Sequence, residues 1–291
     1  MNNTITAAFV MQFHDGFVQA AQQKESRLEQ TIVSRGMIVG SSFTANDMGS
    51  IEANPVTNRY GDTEWTIPDA GTRQALMSDF DVAIPIDQFD LPKLLANPQG
   101  AYLETTLAAM NRKKDKVIYD ALRGSALRKT DEAGPFAGVA VPAGQIIAAG
   151  GTGMTKAKII QAKKLFRSNE ADSHNGETLY MTYDSGMLED ILSDTTLTSA
   201  DFMAVKMLQE GDVSGTWCGF KWVPYEALTG TTTKTAVAYT KSSAHVGMGQ
   251  GIQTDIGPRR DKRNLIQIYA AMSIGSVRVN ESKVVTIDYV V

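Results

Sequence analysis

Apolar residues recur along this chain with more than one rhythm, and each rhythm predicts a different element. Between residues 5 and 33, Phe9, Phe13 and Phe17 repeat at four-residue spacing, and Leu28 and Ile32 repeat it after a polar middle. That spacing predicts a partly amphipathic helix. Its aromatic stripe needs a surface beyond its own turns, either on its own core or on another chain. From 41 to 90 the rhythm changes to alternation. Leu76, Phe80, Val82, Ile84 and Ile86 fall on one face of a strand, with Ser78 the exception, and Asp79, Asp81 and Asp87 fall on the other. An extended stretch, 56–67, is placed to pair back on it across the turn signal Pro68-Asp69-Ala70-Gly71. The expected ribbon is polar on much of both faces, and an isolated hairpin is marginal in water. Tyr60 and Trp65 on it therefore call for a partner surface, on a neighbouring subunit or on the ribbon's own domain.

A long helix is predicted over 98–123. Asn97 suits the N-cap, Pro98 the first helical position and Gly124 the stop. Leu103, Leu107, Met110, Val117, Ile118 and Ala121 keep one face apolar, along a rod of about 39 Å. Arg112, Lys113, Lys114, Asp115 and Lys116 read as its solvated face. Residues 130–154 are rich in glycine and proline, with one short strand at 145–149. A helix is expected over 155–168, with Ile159, Ala162 and Phe166 on one face, then a strand at 179–183. Helices at 185–192 and 199–209 precede a strand at 216–225 carrying Trp217, Phe220 and Trp222. Strands at 236–240, 245–250 and 265–273 and a hairpin over 276–290 complete the chain.

Composition then removes whole classes. The 291 residues include 28 Lys and Arg against 32 Asp and Glu, a formal charge of −4, and the apolar share of 43% is that of a folded domain. Net charge argues against tight non-specific nucleic-acid binding. The single cysteine, Cys218, excludes an internal disulfide and fits a reducing compartment. No run of 18 apolar residues occurs, and the first 30 residues do not form a secretory signal, so a soluble intracellular product without membrane contact is expected.

Catalytic signatures are sought and fail. Gly151-Thr152-Gly153 lies between a short strand and a helix, but Lys156 stands where a dinucleotide fingerprint needs its third glycine. A nucleotide-dependent enzyme using residues 151–156 is the rival reading from another class. No Gly-Lys pair offers a phosphate loop, and one cysteine with His14, His174 and His245 scattered is poor zinc material. Ser185 sits where a nucleophile elbow would, yet Tyr183 replaces the required glycine, so an N-cap serine is expected. The basic run Arg259, Arg260, Asp261, Lys262 and Arg263 has no interleaved aromatics, which favours solvation or pairing with acidic groups on a neighbour. No catalytic residue, cofactor or metal ligand is expected.

The order of parts is an arm, a ribbon, a long capped helix, a mixed α/β insertion and a β-rich return. It resembles the tailed-bacteriophage major capsid proteins with the HK97-like fold. The likeness is closest over RQALMSDFDVAIPIDQFDLPKLLANPQGAYLETTLAAMNRKKDKVIYDALRG, with its Arg-x-x-Asp pair (Arg112, Asp115), and in the tail SIGSVRVNESKVVTIDYVV. The resemblance implies an α+β shell subunit with an N-terminal arm at 1–40 and an extended E-loop hairpin at 41–92. It implies a peripheral domain at 93–175 and 269–291 with spine helix 97–124, and an axial domain at 176–268. It further implies hexamers and pentamers in an icosahedral virion shell around double-stranded DNA, without sequence-specific binding. Assembly in the host cytoplasm would pass through a precursor shell, with a portal protein. The short arm leaves no room for a fused scaffold, so a separate scaffolding protein is expected. No lysine lies between Asn46 and Pro92, so reinforcement would come from non-covalent contacts or a decoration protein in place of a ribbon-lysine cross-link. Contacts between subunits are expected at Arg59, Tyr60, Glu64, Trp65, Arg73, Phe9, Phe13, Phe17, Arg259 and Arg260. The encapsulin-type bacterial compartment is the same-fold alternative.

Overall fold

The computed structural model describes residues 20–56, 59, 61–63, 65–87, 99–193 and 216–291. Expectations for Phe9, Phe13, Phe17, Tyr60, Glu64, the cap at Asn97 and Pro98, and a helix at 199–209 fall outside them. Strands β1 (Val33–Met37), β2 (Ser42–Met48), β3 (Ala70–Leu76) and β4 (Ser78–Ile86) precede helix α1 (Gln99–Arg123). Next come β5 (Ala126–Lys129), β6 (Ala137–Val139), β7 (Ile146–Ile147), α2 (Lys156–Ser168), β8 (Leu179–Tyr183) and α3 (Ser185–Ser193). Strands β9 (Thr216–Trp217), β10 (Phe220–Pro224), β11 (Thr233–Thr240), β12 (Ala244–Arg259), β13 (Leu265–Arg278) and β14 (Val284–Val290) close the chain.

Three sheets result, with orders β1-β12-β13-β4, β7-β14-β11-β8-β10-β9 and β2-β3-β5-β6. In the first, β12 and β13 pair from Ala244–Arg278 to Arg259–Leu265, with irregular register between Met248 and Gln253. Sixteen residues of β12 make a ribbon of about 50 Å. Its inner face carries Ile268, Ala270, Met272 and Ile274, all at most 2% exposed, and α1 packs across them with Met110, Ile118 and Leu122. The alternation expected at residues 78–86 is present: Phe80 and Val82 turn in, Asp79 and Asp81 turn out. β4 is the outer strand of this sheet and carries Pro85.

The six-stranded sheet holds the densest core. Ala236, Val237, Ala238 and Tyr239 of β11 and Val284, Val285 and Ile287 of β14 are fully buried. Such unbroken apolar runs mark strands covered on both faces. Helix α2 covers it with Ile159, Ala162 and Phe166, the Phe166 ring meeting Phe220 edge-on at 5.9 Å. Helices α2 and α3 and strand β8 match their predicted positions.

Four expectations are corrected. The partner of residues 70–76 is β2, not 56–67, which contains no strand among its described residues. β4 leaves the ribbon and joins β13, because its apolar face has the α1-covered core to bury against. Thus β3 and β4 both pair within their own body, with β5 and β13, and the described residues between β2 and β3 form no strand. Residues 276–290 do not form a hairpin: β13 ends against β12, and β14 crosses to β11 and β7. The strand at 216–225 is broken at Cys218 and Gly219, whose φ values of 51° and 79° turn it into the β9–β10 hairpin.

The helical expectation for residues 5–33 fails where it is described. Residues 20–28 are irregular, 29–31 form one 3-10 turn and β1 follows. The reason is Asp115. It is fully buried, and its carboxylate accepts from the backbone N–H of Arg27 (3.0 Å) and Leu28 (3.1 Å), the Ser26 hydroxyl (2.6 Å) and the Gln23 amide. Arg112 donates to Gln22 (2.9 Å), Asn111 to the Lys24 carbonyl (2.8 Å) and Lys114 to Glu29 (3.1 Å). Lys113 lies over the Phe80 ring at 4.4 Å. The presumed solvated face of α1 is therefore the seat of residues 22–32, whose Leu28 and Ile32 enter the main core. A carboxylate with this many donors fixes the backbone in a non-helical path, because a helix would consume the same N–H groups internally.

Replacing Asp115 by alanine should destabilise the fold by about 3 kcal/mol, since it strands several buried donors at once. Chemical denaturation measures that loss, and limited proteolysis should show faster cleavage within residues 20–32.

Candidate functional site

The projecting feature is the hairpin β2–β3. Its strands pair from Ser42–Leu76 to Met48–Ala70, and one further bond joins the Gly49 N–H to the Asp69 carbonyl at 2.6 Å. Beyond it the described residues form no helix or strand, and one cross-link, Asn54 to Thr66 at 3.1 Å, spans the loop. Met48, Ile51, Val56, Trp65 and Ile67 are 59–89% exposed. Arg59 is exposed in the same loop. Scattered exposed apolar residues are ordinary; five on one short hairpin are a concentration of them.

The base of this hairpin is rigid. Arg73, expected among the contacts with other subunits, is 2% exposed, and its pairs lie within its own chain. It donates to Asp47 (3.0 Å) and to Glu281 (2.6 Å). Arg128 of β5 donates to the same Asp47 oxygen (2.8 Å) and to Asp69 (2.9 Å). Gly71 is required here: a Cβ would lie 2.6 Å from the Arg128 Nε and from Asp47. Glu281 also faces Arg278 at 3.5 Å, and the fully buried Arg278 donates to the carbonyls of Leu122 (3.0 Å), Gly124 (2.5 Å) and Val139 (2.8 Å). Hairpin, third sheet, β13 and the end of α1 thus meet in one ionic joint. Strand pattern alone did not expose it; the long spacing between Asp47, Arg73, Arg128 and Glu281 hides their proximity.

The second projecting feature is the β12–β13 turn. Arg259 is clamped by Asp261 (2.8 and 2.9 Å) and Gln267 (2.9 Å), and Arg260, Lys262 and Arg263 are exposed around it.

The sites considered for chemistry are filled by the chain itself. The Asp190 carboxylate accepts from the Met154 N–H (2.7 Å) and would collide with a Cβ at Gly153, while Lys158 donates to the carbonyls of Thr152 (2.9 Å) and Gly153 (2.8 Å). The 151–154 loop thus carries a carboxylate of its own chain against its backbone. The Ser185 hydroxyl bonds Glu226 (3.1 Å), and the cap of α3 is Asp184, which accepts from the Met187 N–H (2.8 Å). Burial alone would raise the Asp184 carboxyl, but hydrogen bonds from Lys234 and Tyr289 leave it below its ordinary value. Among the described residues no group of three metal-ligating side chains converges.

A long helix on a two-stranded ribbon, a separate α/β sheet and a projecting hairpin together make the HK97-like fold of phage capsid proteins. A chain of Mycobacterium phage Che8 matches with a TM-score of 0.72 at 14% identity, covering 95% of this chain and 96% of that one. The capsid of cyanophage Pam1 matches at 0.70 and 12% identity, covering 96% of each. The capsid of Ralstonia phage GP4 matches at 0.67 and 10%, covering 96% and 94%. No curated protein sequence matches. The chain belongs to the phage capsid protein family, whose sequence pattern covers residues 5–291.

Arg73→Met should cost about 3 kcal/mol by taking one of its two cations from each of the half-buried Asp47 and Glu281 carboxylates; urea denaturation gives the loss, and hydrogen exchange should rise first in β2 and β3. A pH effect follows from His245, whose Nδ1 accepts from Arg35 Nε at 3.1 Å across the β1–β12 seam. Burial first, and then the Arg35 charge, push its imidazole from 6.5 down to about 4. The unfolded chain binds this proton first, so the contribution present above pH 6.5 is lost as the pH falls toward 4. His245→Gln should flatten the thermal-stability profile across that interval.

Proposed function

We propose that this chain is the major head subunit of a tailed bacteriophage, self-assembling as hexamers and pentamers into the icosahedral shell around the genome. The observation that carries the reading is the pairing of a rigid ionic base with an apolar tip that stands exposed among the described residues. Residues 41–76 serve as the E-loop, its tip lying on a neighbouring subunit through Ile51, Val56, Trp65 and Ile67, with Arg59, Tyr60 and Glu64 at the edge of that contact. Helix α1 and the β12–β13 ribbon form the peripheral domain, and the six-stranded sheet with α2 and α3 forms the axial one. Phe9, Phe13 and Phe17 continue the arm beyond the segment seated on Asp115. Assembly proceeds in the host cytoplasm through a precursor shell with a separate scaffolding protein and a portal, and the mature virion encloses DNA without gripping its sequence. The role is structural and uses no cofactor.

An apolar tip buried only on a neighbour makes assembly depend on it while leaving folding untouched. Replacing residues 50–68 by a short Gly-Ser turn keeps the Gly49–Asp69 bond and the β2–β3 register. The expected product, co-expressed with the neighbouring phage genes, is a soluble subunit of unchanged melting temperature that forms no closed particles in electron micrographs. Normal shells from this variant would overturn the reading.

A further inference from the structure

The sheet of β1, β12, β13 and β4 has one face covered by α1 and one face open. Directly opposed residues share a face. The rows Asp79–Ser273–Gln250, Asp81–Ala271–Gln253 and Ala83–Tyr269–Asp255 all lie on the open side. Asp79, Asp81 and Asp255 are exposed there, and the three rows hold no lysine, arginine or histidine. Among the described residues none of these carboxylates makes an ion pair. Asp79 and Asp81 lie two residues apart on β4 and Asp255 lies two strands away across β13, so the face gathers three carboxylates that a cationic partner would pair.

The matching charge sits at the end of the same ribbon. Residues 259–263 carry four cations and one acid, and Arg259 takes up Asp261. Arg260, Lys262 and Arg263 are left exposed, on a turn that places Arg263 and Asn264 at φ 54° and 55°. The tip lies beyond the β4 half of its own face. Asp79 opposes Ser273, eight residues along β13 from Leu265, which is about 27 Å in an extended strand, and Asp81 opposes Ala271, about 20 Å along. Asp255, opposite Tyr269, is the nearest of the three at about 14 Å.

We infer that the Arg260–Lys262–Arg263 tip of one copy docks on the Asp79–Asp81–Asp255 face of a second copy. This rests on the shell-subunit reading and adds a contact between two different patches, the kind that repeats around a ring or across a lattice. Exposed ion pairs of this sort set partner and orientation more than affinity and weaken with salt.

Charge reversal tests it. Arg260→Glu/Lys262→Glu/Arg263→Glu, Asp79→Lys/Asp81→Lys/Asp255→Lys and their combination are co-expressed with the neighbouring phage genes and compared by sedimentation and electron microscopy. Each reversal alone should reduce closed particles by about tenfold or more, and the combination should restore them. Reversals that assemble like the unmodified chain, or a combination that restores nothing, overturn the contact. So does a tip reversal that assembles normally but loses packaged DNA, because the tip would then serve nucleic acid. Unmodified chains that form no shell sink the parent reading instead. The contact is then read separately, by mixing a Cys218→Ser/Arg260→Cys chain with a Cys218→Ser/Asp81→Cys chain in oxidising buffer. A linked pair of the two different chains supports it, and its absence overturns it.

Discussion

The Arg278 guanidinium has no exposed surface and answers three carbonyls, two of them at the end of α1. Those carbonyls are the groups that a helix leaves unpaired at its C-terminus, and the negative end of its dipole lies there. A buried positive charge is expensive unless it is hydrogen-bonded and faced by an anion, and Glu281 supplies the anion. Glu281 is in turn shared with Arg73, and through it with Asp47 and Arg128. Each carboxylate is shared by two arginines, so removing any one member unbalances its neighbours. The base of the hairpin is therefore held by charge satisfaction at this joint together with the small apolar cluster of Phe43, Ala75, Ala126 and Val277 beside it.

Asp115 plays the corresponding part near the middle of the same helix. Together the two sites make α1 a strut with polar fastenings on one side and an apolar floor on the other. This division suits a subunit whose neighbours must find their surfaces in defined places. The apolar floor supplies stability, while the directional hydrogen bonds supply position.

Much of the architecture was legible in the chain because its rhythm is local. Helix α1, helix α2, strand β8 and the in–out alternation of β4 all follow from spacing within about ten residues. What failed was non-local. The pairing of β2 with β3, the departure of β4 to β13 and the crossing of β14 to the second sheet depend on partners far away in sequence. The charge run at 112–116 looked solvated because nothing in its own neighbourhood shows that backbone N–H groups from residues 27 and 28 will arrive to meet Asp115. Arg73 makes the same point: its pairs with Asp47 and Glu281 join residues far apart in sequence. By contrast Trp65 stands exposed on its loop, as an aromatic on a ribbon without an apolar face should. The rival nucleotide loop at 151–156 could be weighed from sequence, but that Asp190 lies against it could not.

Strand β4 has a further consequence for the life of the molecule. It closes one side of its sheet, where an open ladder would invite another extended chain to add indefinitely. Pro85 offers no N–H there, and Asp79 and Asp81 make the approach of an identical strand repulsive. A polypeptide accumulating to high local density can thus wait beside many copies of itself without drifting into fibrils, leaving ordered closure as the association still open to it.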